Sequence, residues 1–153
     1  MTVYRIAKSS VRAQDLSGIG AFKYGGRWNN KGSYMLYASI NSSLAYLENV
    51  VHFDESGSPP YLYITTIEIK DNHLIYELPD ADYPGSWRQP DNPDNKAMGD
   101  QWIAENKFLA FKVSSAINPD EFNLLLNPLY PGYNDRVIVN SIHQLKNDAR
   151  LIG

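Results

Sequence analysis

Arg27, Tyr37 and Glu48 lie close together in the chain, and their side-chain types can do chemistry. Arg27 sits in Gly25-Gly26-Arg27-Trp28-Asn29-Asn30-Lys31-Gly32, a run of glycines and asparagines around one guanidinium and one indole. A guanidinium keeps its charge and meets anionic oxygens two at a time. Downstream, Leu44, Leu47 and Val51 repeat with the spacing of a buried helix face, and Glu48 falls on that same face. An ionised carboxylate placed there must find partners. Arg27 is the nearest candidate in sequence. Two readings stand at this point. Glu48 is a buried acid partnered by Arg27, or it lies at the edge of the apolar stripe, reaches water, and leaves Arg27 as a turn residue.

The elements that would position these groups follow from pattern. Tyr34-Met35-Leu36-Tyr37-Ala38 reads as a strand, and residues 42–53 read as a helix capped by Asn41 or Ser39. The polar run at 54–60 ends that helix in a turn. Residues 61–69 are the clearest strand, with Tyr61, Tyr63, Thr65, Ile67 and Ile69 on one face. Further strands are predicted at 3–6, 73–76, 108–113 and 135–142. The proline- and aspartate-rich stretch 79–96 reads as a surface loop or mobile flap, and Asp100 as the cap of a helix running to about Lys107. Short strands mixed with a few helices, without regular alternation, predict an α+β fold.

Other chemistries are set aside by composition. The chain has 153 residues, which predicts one domain over 1–153, and no cysteine, which rules out a disulfide framework and thiolate chemistry. His52, His73 and His143 lack metal-ligand spacing, so no metal is expected. A net charge of −3 without a basic block does not support nucleic-acid binding. No apolar run approaches a membrane span, and Met1-Thr2-Val3-Tyr4-Arg5 does not read as a signal peptide, so a cytoplasmic protein is expected. Asp15-Leu16-Ser17-Gly18-Ile19-Gly20 holds half of a dinucleotide fingerprint, but Lys23 occupies the third glycine position. A Rossmann reading is rejected, and 14–26 is expected to be flexible backbone near a pocket.

The ordered set of motifs resembles the RES-domain toxin family. It comprises Gly25-Gly26-Arg27-Trp28-Asn29 with Gly32, then Tyr37-Ala38-Ser39, then Leu44-Ala45-Tyr46-Leu47-Glu48 and His52. Gly99-Asp100-Gln101-Trp102, Val113-Ser114-Ser115-Ala116, Asn123-Leu124-Leu125-Leu126-Asn127-Pro128 and Arg150-Leu151 follow in order. Two departures stand out. Ser114 replaces the family's usual proline, which leaves the register between Ser114 and Ser115 open, and Tyr130 replaces a histidine of the Asn-Pro-x-His-Pro segment.

The resemblance implies a bent, split mixed β-sheet with helices, similar to the ADP-ribosyltransferase and diphtheria-toxin fold. It implies the toxin of a type II toxin–antitoxin pair, blocked by an Xre-type antitoxin and depleting NAD by cleaving its nicotinamide–ribose bond. NAD is then a substrate, and no cofactor is implied. The acceptor stays open among water, inorganic phosphate and a protein side chain. The last would make the chain an ADP-ribosyltransferase that modifies a specific protein. Assembly into a homo-oligomer stays open too, and a degenerate member that only binds its partner is a further reading, which the intact Arg27, Tyr37 and Glu48 disfavour.

On the matching positions, the resemblance gives Glu48 the carboxylate that stabilises the ribosyl cation, Tyr37 the ring that stacks on nicotinamide, and Arg27 the pyrophosphate contact. Ser115 donates to phosphate or ribose. Gly25 and Gly26 let the backbone approach the ligand, while Trp28 packs and Asn29 ties the loop. Arg5 is a further anion contact or a surface residue. His52, one turn after Glu48, reads as a structural partner rather than a base. An antitoxin carboxylate, such as its own C-terminus, is expected near Arg27.

Overall fold

The computed structural model describes residues 1–51 and 60–151. Its elements run β1 (Thr2–Ala7), α1 (Ser10–Gln14), α2 (Ile19–Tyr24), β2 (Leu36–Ser39), α3 (Ser42–Val50) and β3 (Tyr61–Ile69). They continue with β4 (Ile75–Glu77), α4 (Pro93–Glu105), β5 (Ala110–Ser114), β6 (Phe122–Leu126), α5 (Tyr133–Arg136) and β7 (Val137–Lys146). The predicted α+β class holds.

The strands are hydrogen-bonded in the order β4-β5-β6-β2-β1-β3-β7. Among the described residues, β4 and β5 are the one parallel pair. The seam between the halves is narrow, because β1 registers on β2 at one pair, Tyr4 with Ser39, whereas β1 and β3 register over six, from Thr2–Glu68 to Ala7–Tyr63. Two ladders therefore meet at Ser39. Helix α3 follows β2 directly and lies against β1 and β2, across this seam.

Packing explains the strand choices. Leu124, Leu125 and Leu126 are all buried, as a continuous apolar run requires when both faces of a central strand are covered. Leu124 and Leu126 join Val3, Leu36, Ala38, Ile67 and Val137 in one core. Leu125 joins Trp28, Met35, Phe111 and Val113 in a second core on the other face, with Tyr37 and Trp102 packed against it. Strand β3 has the predicted bounds and keeps its β-branched, aromatic pattern.

Two expectations are corrected here. Residues 14–26 are not one irregular loop, because α1 ends at Gln14 and α2 occupies Ile19–Tyr24 within that stretch; Ser9 caps α1 by accepting from Arg12 N–H. Asp100 does not start a helix. Asn92 caps α4 by accepting from Asp94 and Asn95, and Pro93 takes the first turn, where a missing N–H costs nothing. Of the two readings of 79–96, the surface segment is what the structure shows: most of it is exposed, its last residues open α4, and it is tied down by hydrogen bonds. The Tyr83 hydroxyl accepts from Ser114 N–H at 2.8 Å, the Asn92 amide donates to Gly85 and Ser86 carbonyls, and the Asn95 amide donates to the Trp87 carbonyl at 2.7 Å. Trp87 and Tyr83 pack on Trp28. Most of the turn predicted at 54–60 lies outside the described residues. Among the described residues no helix is long and apolar enough to cross a membrane.

Candidate active site

Glu48 is turned inward by the geometry of α3. Asn41 caps the helix, accepting from Leu44 N–H at 2.7 Å, and the buried positions are Leu44 and Ala45, one turn before Glu48. Leu47 and Val51 are 43% and 60% exposed, so the apolar stripe drawn through them is corrected. Glu48 is instead i+4 from Leu44 and i+3 from Ala45, which places it on the buried face.

Its partners come from across the sheet. The Ser115 hydroxyl and the Asn123 amide each donate to Glu48 Oε1 at 2.7 Å. Ser39, paired with Asn123 in the β2–β6 ladder, donates to Asn123 Oδ1 at 2.7 Å and so orients the amide. Ser115 is fully buried and also accepts from Ile117 and Asn118 N–H. These donors fix one carboxylate oxygen. Oε2 has no hydrogen bond among the described residues. Arg27 is not the partner of Glu48, which corrects the pairing suggested by proximity in sequence. Ser115 rather than Ser114 touches Glu48; Ser114 belongs to β5.

Tyr37 and Ser39 share a face of β2, so Tyr37 stands one strand step from this cluster. Its hydroxyl is committed to the arginine loop. It accepts from Trp28 N–H at 3.0 Å and donates to Asn29 Oδ1 at 2.7 Å. The Asn29 amide in turn donates to the carbonyls of Ala21, Asn30 and Ser33. Burial pushes the Tyr37 hydroxyl well above the ordinary phenol range, which keeps it a donor. A side chain at Gly26 would bring a Cβ to 2.5 Å from that hydroxyl, so only glycine fits there.

The loop is clamped from behind as well. Trp28 is buried and stacks on Trp102 with centroids 5.8 Å apart, and Trp102 stacks on Phe111. Gly99 of α4 leaves room for the Trp28 carbonyl, and Asp100 accepts from both the backbone and the amide of Asn30. Arg27 sits at the tip of this turn. Its Nη1 donates to the carbonyls of Trp87, Arg88 and Gln89 at 3.2, 3.1 and 3.2 Å. Nε and Nη2 have no partner among the described residues. One nitrogen therefore anchors the side chain, and the edge formed by the other two remains a two-donor fork suited to an oxyanion.

The segment bearing those carbonyls links the two halves of the site, because Arg88 Nε donates to the carbonyl of Ala116, the residue after Ser115. Arg27, Tyr37, Glu48 and Ser115 are thus connected through one network. Gly26, Trp28 and Asn29 build the turn itself. Asn123 and Arg88 were missed in the sequence. The signal for Asn123 was a polar residue leading the apolar run at 124–126; Arg88 gave none, lying in a stretch read as loop.

Two residues stand elsewhere or beyond view. Arg5 shares its face of β1 with Val3 and Ala7, which is the face opposite to Glu48, and it donates to the Arg12 carbonyl at 2.7 Å. His52 lies outside the described residues. A cavity of about 610 Å³ also opens on that opposite face, lined by Leu16, Tyr34, Pro128, Tyr133 and Val137 among others, without a charged side chain.

The RES domain model matches residues 2–146. Toxin Res of Yersinia enterocolitica is 36% identical over 134 residues, covering 87% of this chain and 88% of that one. The Prs ADP-ribosylating toxin of a Sphingobium species is 37% identical over 133 residues, covering 84% and 83%. In fold, the chain is similar to the M. tuberculosis MbcT–MbcA toxin–antitoxin complex, with a TM-score of 0.72 at 19% identity over 95% of this chain and 84% of that one.

Proposed function

The chain belongs to the RES-domain family, and on that premise we propose that it is the toxin of a toxin–antitoxin pair that breaks the nicotinamide–ribose bond of NAD. The observation that carries the reading is the Glu48 carboxylate, with Oε1 fixed by Ser115 and Asn123 and Oε2 without a hydrogen bond among the described residues.

The chemistry follows from the leaving group. Nicotinamide in NAD is cationic, so it departs neutral when the ribose C1′–N bond breaks and the bond pair stays on its nitrogen. No strong acid is needed. The barrier lies in the positive charge that develops on ribose, as in other glycosyl cleavages. Oε2 of Glu48 accepts the ribose 2′-hydroxyl and places negative charge against that cation, while Ser115 and Asn123 keep the carboxylate from turning away. The Arg27 fork takes a pyrophosphate oxygen pair, and the Tyr37 ring packs against nicotinamide. Water then adds its oxygen to C1′ and releases a proton, giving ADP-ribose; inorganic phosphate in the same place gives the 1-phosphate.

A second reading, transfer of ADP-ribose to a specific cellular protein, is favoured by the name of the Sphingobium relative, an ADP-ribosylating toxin. Incubating the pure protein with NAD, with and without phosphate, and identifying the products separates the readings. ADP-ribose marks hydrolysis and its 1-phosphate marks phosphorolysis. Turnover that requires a protein acceptor marks transfer. We propose an antitoxin as the blocking partner, a reading supported by the toxin–antitoxin complex whose toxin fold is similar; its Xre type rests on the family resemblance alone.

A further inference from the structure

Arg88 is an exposed residue on the strap between the two halves of the site, and its geometry is specific. Its own carbonyl accepts from Arg27 Nη1 at 3.1 Å, and its Nε donates to the Ala116 carbonyl at 3.0 Å. Ala116 follows Ser115, whose hydroxyl holds Glu48. Two guanidinium groups are therefore carried by segments hydrogen-bonded to each other and to the residue that follows Ser115. Among the described residues neither forms an ion pair, although acidic residues outnumber basic ones, 17 to 14. Both side chains are fixed by one nitrogen to backbone carbonyls, and the others have no partner among the described residues. Cations placed together without a counter-ion suit a ligand carrying more than one negative charge.

We infer that Arg88 is a second anion-binding residue, which with Arg27 takes the diphosphate of the dinucleotide. Resting on the NAD reading above, this assigns one cation to each phosphate charge. It makes recognition of the diphosphate, rather than of nicotinamide riboside alone, the basis of substrate selection. The strap then has a purpose beyond packing: it brings a charge from the 83–92 segment to a site otherwise built from the 26–29 turn, β2, α3 and the 115 loop.

The test compares Arg88→Ala with the wild type in NAD cleavage, with ADP-ribose and nicotinamide as product inhibitors. ADP-ribose carries the diphosphate and nicotinamide does not. The variant is expected to raise KM for NAD and the inhibition constant of ADP-ribose about tenfold, the loss of one charge-assisted contact. The nicotinamide constant and kcat should stay near wild type. If all constants are unchanged, or if kcat and the nicotinamide constant shift alongside the others, Arg88 only props the Ala116 loop and the inference is overturned. A wild-type protein that neither cleaves NAD nor binds ADP-ribose in calorimetry instead brings down the NAD reading itself.

Discussion

Ser115 donates its hydroxyl to Glu48 Oε1 at 2.7 Å although 67 residues separate them in sequence. The bond ties the end of β5 to α3 across the seam where β1 and β2 meet at a single pair. The cross-sheet donors, Ser115 and Asn123, keep the carboxylate oriented.

Replacing Glu48 by Gln preserves an oxygen for Ser115 and Asn123 and exchanges only Oε2 for an amide. The variant is expected to fold, and to cleave NAD at least a hundredfold more slowly, a barrier increase of about 3 kcal/mol. Circular dichroism and nicotinamide release measure the two parts. Near-normal turnover in the folded variant would remove Glu48 from the chemistry.

Asn123→Ala takes away one of the two donors on Oε1 and leaves the Ser39 hydroxyl without its acceptor. We expect kcat to fall about tenfold with little change in KM, because the carboxylate is misaligned rather than lost. Asn123→Asp, which sets a second carboxylate beside Glu48, should be worse than alanine. Steady-state kinetics on the three proteins decides it, and an aspartate variant with wild-type kcat contradicts the assigned orientation.

Arg27→Lys retains charge but cannot hold three carbonyls with one nitrogen and still offer a two-donor edge. At least a tenfold loss in kcat/KM for NAD is expected, mainly through KM. A lysine variant equal to wild type would show that the guanidinium serves only the turn.

The Tyr37 hydroxyl gives a pH signature. Its pKa is raised by burial, so the folded state favours the protonated phenol. That contribution is complete below the unfolded value near pH 10 and is lost as the pH rises through the folded one. Tyr37→Phe should cost about 1–3 kcal/mol at neutral pH, from the unpaired Trp28 N–H and Asn29 carbonyl oxygen. It should also flatten the loss of stability above pH 10. Denaturant melts at pH 7 and above pH 10 read both effects, and parallel pH curves for the two proteins would refute the assignment.

Much of this was legible in the sequence because local rules agree with the fold at those places. Alternation fixed β3, and Asn41 before Ser42 marked the start of α3. Glu48 was found as an acid on a helix that packs on the sheet. Its partners were not legible, since Ser115 and Asn123 reach it through strand order, which no local pattern encodes. Proximity in sequence offered Arg27 instead. The inward face of α3 was misjudged because Leu47 and Val51 satisfy the helical period yet face outward, while the polar network turns Glu48 in. The 79–96 segment looked loose from its prolines. It is held by Tyr83, Asn92 and Asn95, whose hydrogen bonds to backbone groups composition does not reveal.

The most direct test is release of nicotinamide from NAD by the wild-type protein and by Glu48→Gln, in parallel, with water, inorganic phosphate and a cell extract as acceptors. Release by the wild type with at least one acceptor, reduced a hundredfold or more in the variant, is the expected result. No nicotinamide from the folded wild type under any of the three conditions would contradict NAD cleavage at this site.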